Sequence, residues 1–96
     1  MIFIVMPVRV HLKISGRVQG VCFRYYCCEQ AQTFGVKGFV RNNEDGSVEV
    51  VAEGEEKDIM KFTAWCRHGP SLATVDSFEE KHEAMTGEFD SFTVGH

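Results

Sequence analysis

The stretch VRVHLKISGRVQGVCFRYYCCEQAQTF, residues 8–34, changes its hydrophobic period partway along, and this change decides the fold. Over residues 8–15 apolar and polar residues alternate, which predicts a strand with one buried face. Over about 21–34 the apolar residues recur with helical spacing, which indicates an amphipathic helix. The helical stripe consists of Phe23, Cys27, Ala31 and Phe34. A strand therefore passes into a helix through a turn bracketed by Gly16 and Gly20.

A hairpin and a second helix follow this first unit. VKGFVRN (36–42) and SVEVVAE (47–53) predict two strands, and Asp45-Gly46 between them favours a tight turn. The second helix is predicted from about Glu55, with acidic residues in its first turn, and a Gly-Pro pair ends it. Its last turn is predicted to hold Arg67 and His68. The remaining strands are predicted at residues 73–81 and, as a short fifth, at residues 92–94.

The order of these elements predicts an α+β fold. It matches the ferredoxin-like α/β sandwich, βαββαβ, with an antiparallel sheet of four to five strands and two helices on one face. In that topology strands one and two run parallel with strand three between them. The glycine turn, the start of the first helix and Asn42 are therefore expected at the same end of the sheet.

The composition indicates one globular domain. We expect a short apolar N-terminal extension over residues 1–7 and the domain over residues 8–96. The net charge of −4 argues against a broad basic surface for nucleic acid or anionic lipid. The opening MIFIVM is too short for a signal peptide or a membrane span, so a cytoplasmic protein without a membrane partner is predicted.

The cysteines and histidines do not follow a metal-binding pattern. The chain contains no C-x-x-C, and its four histidines are scattered. We therefore expect no metal, no cofactor and reduced thiols. The cysteines are Cys22, Cys27, Cys28 and Cys66.

The glycine turn has the features of an anion site. A helix start exposes unpaired N–H groups, and glycines before it allow the backbone to curl around a ligand. Arg24 falls in the first helical turn, where its guanidinium leans back toward the turn. The spacing matches neither a P-loop nor a dinucleotide fingerprint. From the residues alone, a phosphate site and an ordinary glycine turn with a surface arginine both stay open.

Asn42 also has two interpretations. Asparagine at a strand end commonly serves the turn that follows it. Alternation, however, places Asn42 on the face toward the helices, two strands from the glycine turn. This separation is about 10 Å at the usual strand spacing. Such a gap holds a phosphate and one water, which the amide is able to orient.

Three segments carry a resemblance to a known family. GRVQGVCFR (16–24), GFVRNNEDGSVEVVAEG (38–54) and GPSLATV (69–75) resemble motifs of the acylphosphatases, and the likeness runs from about residue 8 to residue 94. Cys22 stands where many relatives carry glycine. The resemblance implies metal-independent hydrolysis of acyl phosphates to a carboxylate and inorganic phosphate, by a small monomeric enzyme.

The resemblance also implies roles for individual residues. Arg24 and Asn42 would be catalytic, with Arg24 on the phosphate and Asn42 orienting the attacking water. The implied phosphate-binding loop consists of Gly16, Arg17, Val18, Gln19, Gly20, Val21, Cys22, Phe23 and Arg24. Inorganic phosphate or sulfate would occupy the same site.

Three other functions are open to a domain of this fold. A non-catalytic phosphate- or anion-binding module is the main alternative to the enzyme. A nucleic-acid binder is disfavoured by the acidic charge, and because Tyr25 and Tyr26 lie on a helix rather than on the open sheet. A metallochaperone is disfavoured because the first loop lacks C-x-x-C.

Overall fold

The structure is a computed structural model that describes residues 6–95, and in it a five-stranded sheet is covered on one face by two helices. The elements run β1 (Pro7–Arg17), α1 (Phe23–Phe34), β2 (Lys37–Asn42), β3 (Val48–Glu55), α2 (Glu56–Cys66), β4 (Thr74–Glu83) and β5 (Phe92–Val94). The predicted α+β, ferredoxin-like order is confirmed. The predicted apolar extension lies mostly outside the described residues.

The sheet order is β4-β1-β3-β2-β5. As predicted, β1 and β2 are separated by β3, which runs antiparallel to both. β5 departs from the predicted antiparallel pattern because it runs parallel to β2, so the sheet is mixed. The chain leaves β4 at the end of the sheet where β1 begins, and it crosses to the opposite edge at that same end before β5 starts. β5 therefore takes the direction of β1 and β2.

The two predicted periodicities define the core. The inward residues of β1, Val10, Leu12 and Ile14, are fully buried. The helices cover them with two stripes, Phe23, Cys27 and Ala31 on α1 and Ile59, Phe62 and Cys66 on α2. All four cysteines are free thiols, and burial raises the pKa of Cys27, with Cys66 beside it adding to the effect.

The predicted end of α2 is wrong. The helix ends at Cys66, and no basic residue lies in its last turn. Arg67 instead turns to the sheet, where its Nη2 donates to Glu80 at 3.0 Å and its guanidinium lies 4.6 Å from the Phe78 ring centre. The cation therefore serves edge strand β4 rather than the helix dipole.

Candidate functional site

The loop between β1 and α1 turns through two left-handed positions. Gly20 has a φ of 75°, and Cys22, at the N-cap of α1, has φ 62° and ψ 26°. Cys22 is the only residue other than glycine with positive φ among residues 6–95. A left-handed conformation costs an L-residue about 1–2 kcal/mol, which explains why glycine suits this position.

The start of α1 presents backbone N–H groups that have no hydrogen-bond acceptor in the described part of the chain. The Cys22 side chain makes no capping hydrogen bond, and the first turn contains no acidic residue. Tyr26 N donates to Cys22 O at 3.1 Å, but the backbone N–H groups of residues 20–25 have no backbone acceptor within the described chain. These N–H groups and the helix dipole give this end of α1 a positive potential.

One open pocket of about 510 Å³ lies at this helix start. It is lined by Val18, Gln19, Gly20, Cys22, Phe23, Arg24, Tyr25, Asn42 and Val94. The structure thus brings the two predicted catalytic residues, Arg24 and Asn42, to one cavity, together with most of the predicted loop. Its volume falls in the range of ordinary small-molecule sites.

Arg24 and Asn42 are both available to a ligand. Arg9, Arg41 and Arg67 each pair with a glutamate. Over residues 6–95, neither the side chain of the half-buried Arg24 nor the Asn42 amide has a hydrogen-bond or ion-pair partner, and the exposed Arg17, which lies outside the pocket lining, also lacks one. A guanidinium that no carboxylate neutralises, next to unpaired N–H groups, suits an anion with several oxygens.

Three residues of the predicted loop do not line the pocket. Gly16 and Arg17 continue β1 and pair with Val75 and Thr74 of β4, beyond a register shift after Ser15. The side chain of Val21 is buried in the core.

The structure gives Gly16 a reason unrelated to ligand binding. Its φ is 129°, and a Cβ placed on it would lie 2.2 Å from the carbonyl oxygen of Thr74. The close approach of β4 therefore requires glycine at this position.

The Gln19 side chain has a role that the sequence did not indicate. Its Nε2 donates to the carbonyl oxygens of Asn43 and Ser47, each at 2.9 Å. Both amide hydrogens are therefore used to tie the loop to the turn that follows Asn42. A polar residue in a glycine turn resembles an ordinary surface residue, and nothing in its spacing pointed to this contact.

The turn that Gln19 binds is itself strongly hydrogen-bonded. Asn43 N donates to Ser47 O at 2.8 Å, and Asn43 Nδ2 donates to Ser47 Oγ at 2.9 Å. The Asp45 carboxylate accepts from the Ser47 hydroxyl at 2.6 Å and pairs with Lys13 at 2.9 Å. The hydrogen bonds from Ser47, helped by Lys13, hold the pKa of Asp45 well below its usual range. Asn42 thus enters a turn with a fixed conformation.

Two partly exposed residues with large apolar side chains line the pocket from different elements. Tyr25 is 64% exposed and Val94 is 38% exposed, and both line it. Tyr25 belongs to the first turn of α1, whereas Val94 pairs with Val40 on the sheet.

No group of three or more His, Cys, Asp or Glu side chains within residues 6–95 is arranged to hold a metal ion. Neither helix of that part of the chain has the length and apolar character needed to cross a membrane.

Comparison with known proteins gives a consistent result. The family model described as Acylphosphatase matches residues 10–94. An acylphosphatase of Methylococcus capsulatus is 46% identical over 86 residues, which cover 90% of this chain and 94% of the relative. The crystal structure of an acylphosphatase from Bacillus subtilis superposes with a TM-score of 0.88 at 28% identity, covering 93% of this chain and 99% of that one.

One structural neighbour is much larger. Full-length HypF, crystallised in a phosphate- and nucleotide-bound form, superposes with a TM-score of 0.88 at 30% identity. The match covers 98% of this chain but only 12% of HypF. The same fold therefore also occurs as a small part of a longer polypeptide.

Proposed function

This chain belongs to the acylphosphatase family and hydrolyses acyl phosphates, and from that premise we propose that Arg24 and Asn42 carry the reaction in the pocket at the start of α1. The unpaired N–H groups of the loop, from Gly20 onward, and the Arg24 guanidinium bind the phosphate oxygens. The Asn42 amide holds a water against the phosphorus. No metal or covalent intermediate takes part.

The proposed step is a single displacement. The oxygen of the water held by Asn42 forms a bond to phosphorus, while the bond from phosphorus to the acyl oxygen breaks. The electron pair of that bond leaves with the carboxylate, and a phosphate oxygen takes the proton of the water. Arg24 and the N–H groups stabilise the charge on the phosphate oxygens throughout.

The chemistry explains why so few side chains suffice. A carboxylate is a weak base and leaves without a general acid. Phosphoryl transfer depends mostly on positioning and on charge stabilisation. A cradle of N–H groups, one arginine and one oriented water supply both.

The observation that carries this proposal is the shared availability of Arg24 and Asn42. The two side chains line the same cavity, and each lacks a partner within residues 6–95. Leaving a cation without a carboxylate gains nothing for stability, but it is what a phosphate site needs.

Hydrolysis of benzoyl phosphate without added metal tests the proposal. Arg24→Ala and Asn42→Ala should each lower kcat about 10²–10³-fold, by analogy with the loss of one oxyanion donor. Arg24→Lys should also lower kcat, because an ammonium group does not reproduce the planar fork of donors of the guanidinium. Arg41→Ala is the matched control, since Arg41 is one residue from Asn42 but exposed and paired with Glu49.

Inhibition by inorganic phosphate separates the two roles. Arg24→Ala should weaken it, whereas Asn42→Ala should leave it close to that of the unmodified enzyme. Near-normal turnover in either alanine variant would contradict the assignment.

A second candidate is a phosphate-binding module that does not turn over its ligand, since the same fold also occurs as 12% of the much longer HypF. That function requires Arg24 but not Asn42, and it predicts phosphate affinity without hydrolysis by the purified protein. We favour the enzyme because relatives that match this chain over most of its length are acylphosphatases.

We further propose that the enzyme acts as a cytoplasmic monomer, and that inorganic phosphate or sulfate can occupy its pocket.

A further inference from the structure

We propose that Tyr25 contacts the acyl group and makes the pocket favour acyl phosphates whose acyl group is aromatic, an inference that rests on the proposed function. The phosphate cradle would bind any acyl phosphate equally well. Discrimination between substrates must therefore come from a group that touches the acyl part.

Tyr25 is suitably placed for this contact. It follows Arg24 in the first turn of α1, and its side chain lines the pocket although 64% of the residue is exposed. Helical side chains lean toward the N-terminus, so the ring extends over the helix start where the phosphate would bind. The Tyr26 ring meets it edge to face, with ring centres 5.1 Å apart, and limits the orientations that the Tyr25 ring adopts.

The direction of the leaving group follows from the reaction. In-line displacement places the attacking water and the acyl oxygen on opposite sides of the phosphorus. Asn42 belongs to β2, so the water lies on the sheet side of the phosphate. The acyl group therefore points away from the sheet, toward the pocket mouth where Tyr25 lies. Val94 also lines the pocket, but it belongs to β5, which pairs with β2, so it lies on the sheet side together with Asn42.

The chemistry of this wall favours an aromatic acyl group. Arg24 is the one charged side chain among the described residues that line the pocket, and it is committed to the phosphate. The Tyr25 ring offers a broad apolar face. A benzoyl ring packs against that face in offset or edge-to-face geometry, whereas the methyl group of acetyl phosphate covers little of it.

The test compares kcat/KM for benzoyl phosphate and acetyl phosphate in the same variants. Tyr25→Ala should lower the benzoyl-to-acetyl ratio about 2- to 13-fold, the value of one aromatic contact. Acetyl phosphate turnover should fall less than benzoyl phosphate turnover, because its methyl group covers little of the Tyr25 ring. Tyr25→Phe should retain the ratio because the contact uses the ring. Leu72→Ala, which removes an exposed apolar side chain outside the pocket, should leave the ratio unchanged.

Failure of this inference is distinguishable from failure of the proposed function. If Tyr25→Ala hydrolyses both substrates with the original ratio, the acyl contact is refuted and the enzyme assignment stands. An equal loss for both substrates, with weaker phosphate inhibition, would also refute it, because Tyr25 would then act on the phosphate or on the helix. If the unmodified protein hydrolyses neither substrate, the proposed function itself fails.

Discussion

Removing the two hydrogen bonds of the Gln19 side chain should separate the phosphate loop from the turn that carries Asn42. The bonds to Asn43 O and Ser47 O are each 2.9 Å long, and a neutral hydrogen bond contributes a net of about 0.5–1.5 kcal/mol. Both carbonyls keep a second donor, from Gly46 N and Asn43 N respectively, so neither becomes unsatisfied. Gln19→Ala should therefore lower the free energy of unfolding by about 1–3 kcal/mol.

The effect on catalysis should exceed the effect on phosphate binding. The N–H groups and Arg24 belong to one segment, whereas Asn42 lies across the gap that Gln19 spans. A misplacement of about 1 Å between reacting groups costs roughly 10²-fold in rate, so Gln19→Ala should lower kcat about 10- to 100-fold. Phosphate inhibition should change less than about threefold, since its donors move together.

Urea unfolding and benzoyl phosphate kinetics measure these two effects. Gln19→Met keeps the length of the side chain without its donors, so it should behave like Gln19→Ala. Gln19→Glu should be worse at pH 7 because its carboxylate would face two carbonyl oxygens. Gln32→Ala, an exposed glutamine on α1, should stay within about 0.5 kcal/mol of the unmodified protein. Normal stability and normal kcat in Gln19→Met would refute the positioning role.

Two further predictions concern stability. Gly16→Ala should lower the free energy of unfolding by about 2–6 kcal/mol in urea unfolding, because the φ of Gly16 is 129° and an added Cβ would meet Thr74 O. Gly35→Ala, which has open space around it, should lower it by only about 1–2 kcal/mol. An equal loss of stability in both variants would contradict the clash at Gly16. Burial tends to raise the pKa of Glu53, but hydrogen bonds from Arg9, Thr86 and Gly87 outweigh it and lower the pKa, so its carboxylate stabilises the fold above the ordinary carboxyl pKa and loses this effect as the pH falls through the lowered value. Glu53→Gln should therefore be less stable than the unmodified protein by about 3 kcal/mol at pH 7, and close to it in stability well below pH 4. The control Glu29→Gln, at an exposed residue, should differ little in stability at any pH. A loss of stability in Glu53→Gln that persisted in acid would refute the ion-pair explanation.

The predictable part of the fold is the part with a regular period. The alternation in β1 and the helical stripe of α1 show which face of each element is buried, and burial of that face stabilises the strand and the helix. Three residues of β5 carry no period, so their parallel pairing depends on where the preceding chain crosses the sheet. Gly16 looked like the start of a turn because the sequence does not show that β4 passes against it.

The candidate site likewise has a part that the sequence predicts and a part that it does not. Arg24 and Asn42 were placed together because the topology fixes which strand ends meet. The side-chain bonds of Gln19 depend on the conformation of a turn more than twenty residues further along, which no local pattern records. The exposed ring of Tyr25 beside the pocket was likewise a consequence of how α1 sits over β2 and β5.

The position of β4 at the sheet edge bears on self-association. An edge strand presents unpaired backbone groups on which a second chain can template aggregation. Residues 79–83 of β4 read Glu-Glu-Lys-His-Glu, and an antiparallel partner centred on Lys81 would set Lys81 against Lys81 and Glu79 against Glu83. Such like-charge pairs disfavour that edge-to-edge register. The charge order of the longer free edge therefore works against the symmetric pairing of two chains through β4 in that register.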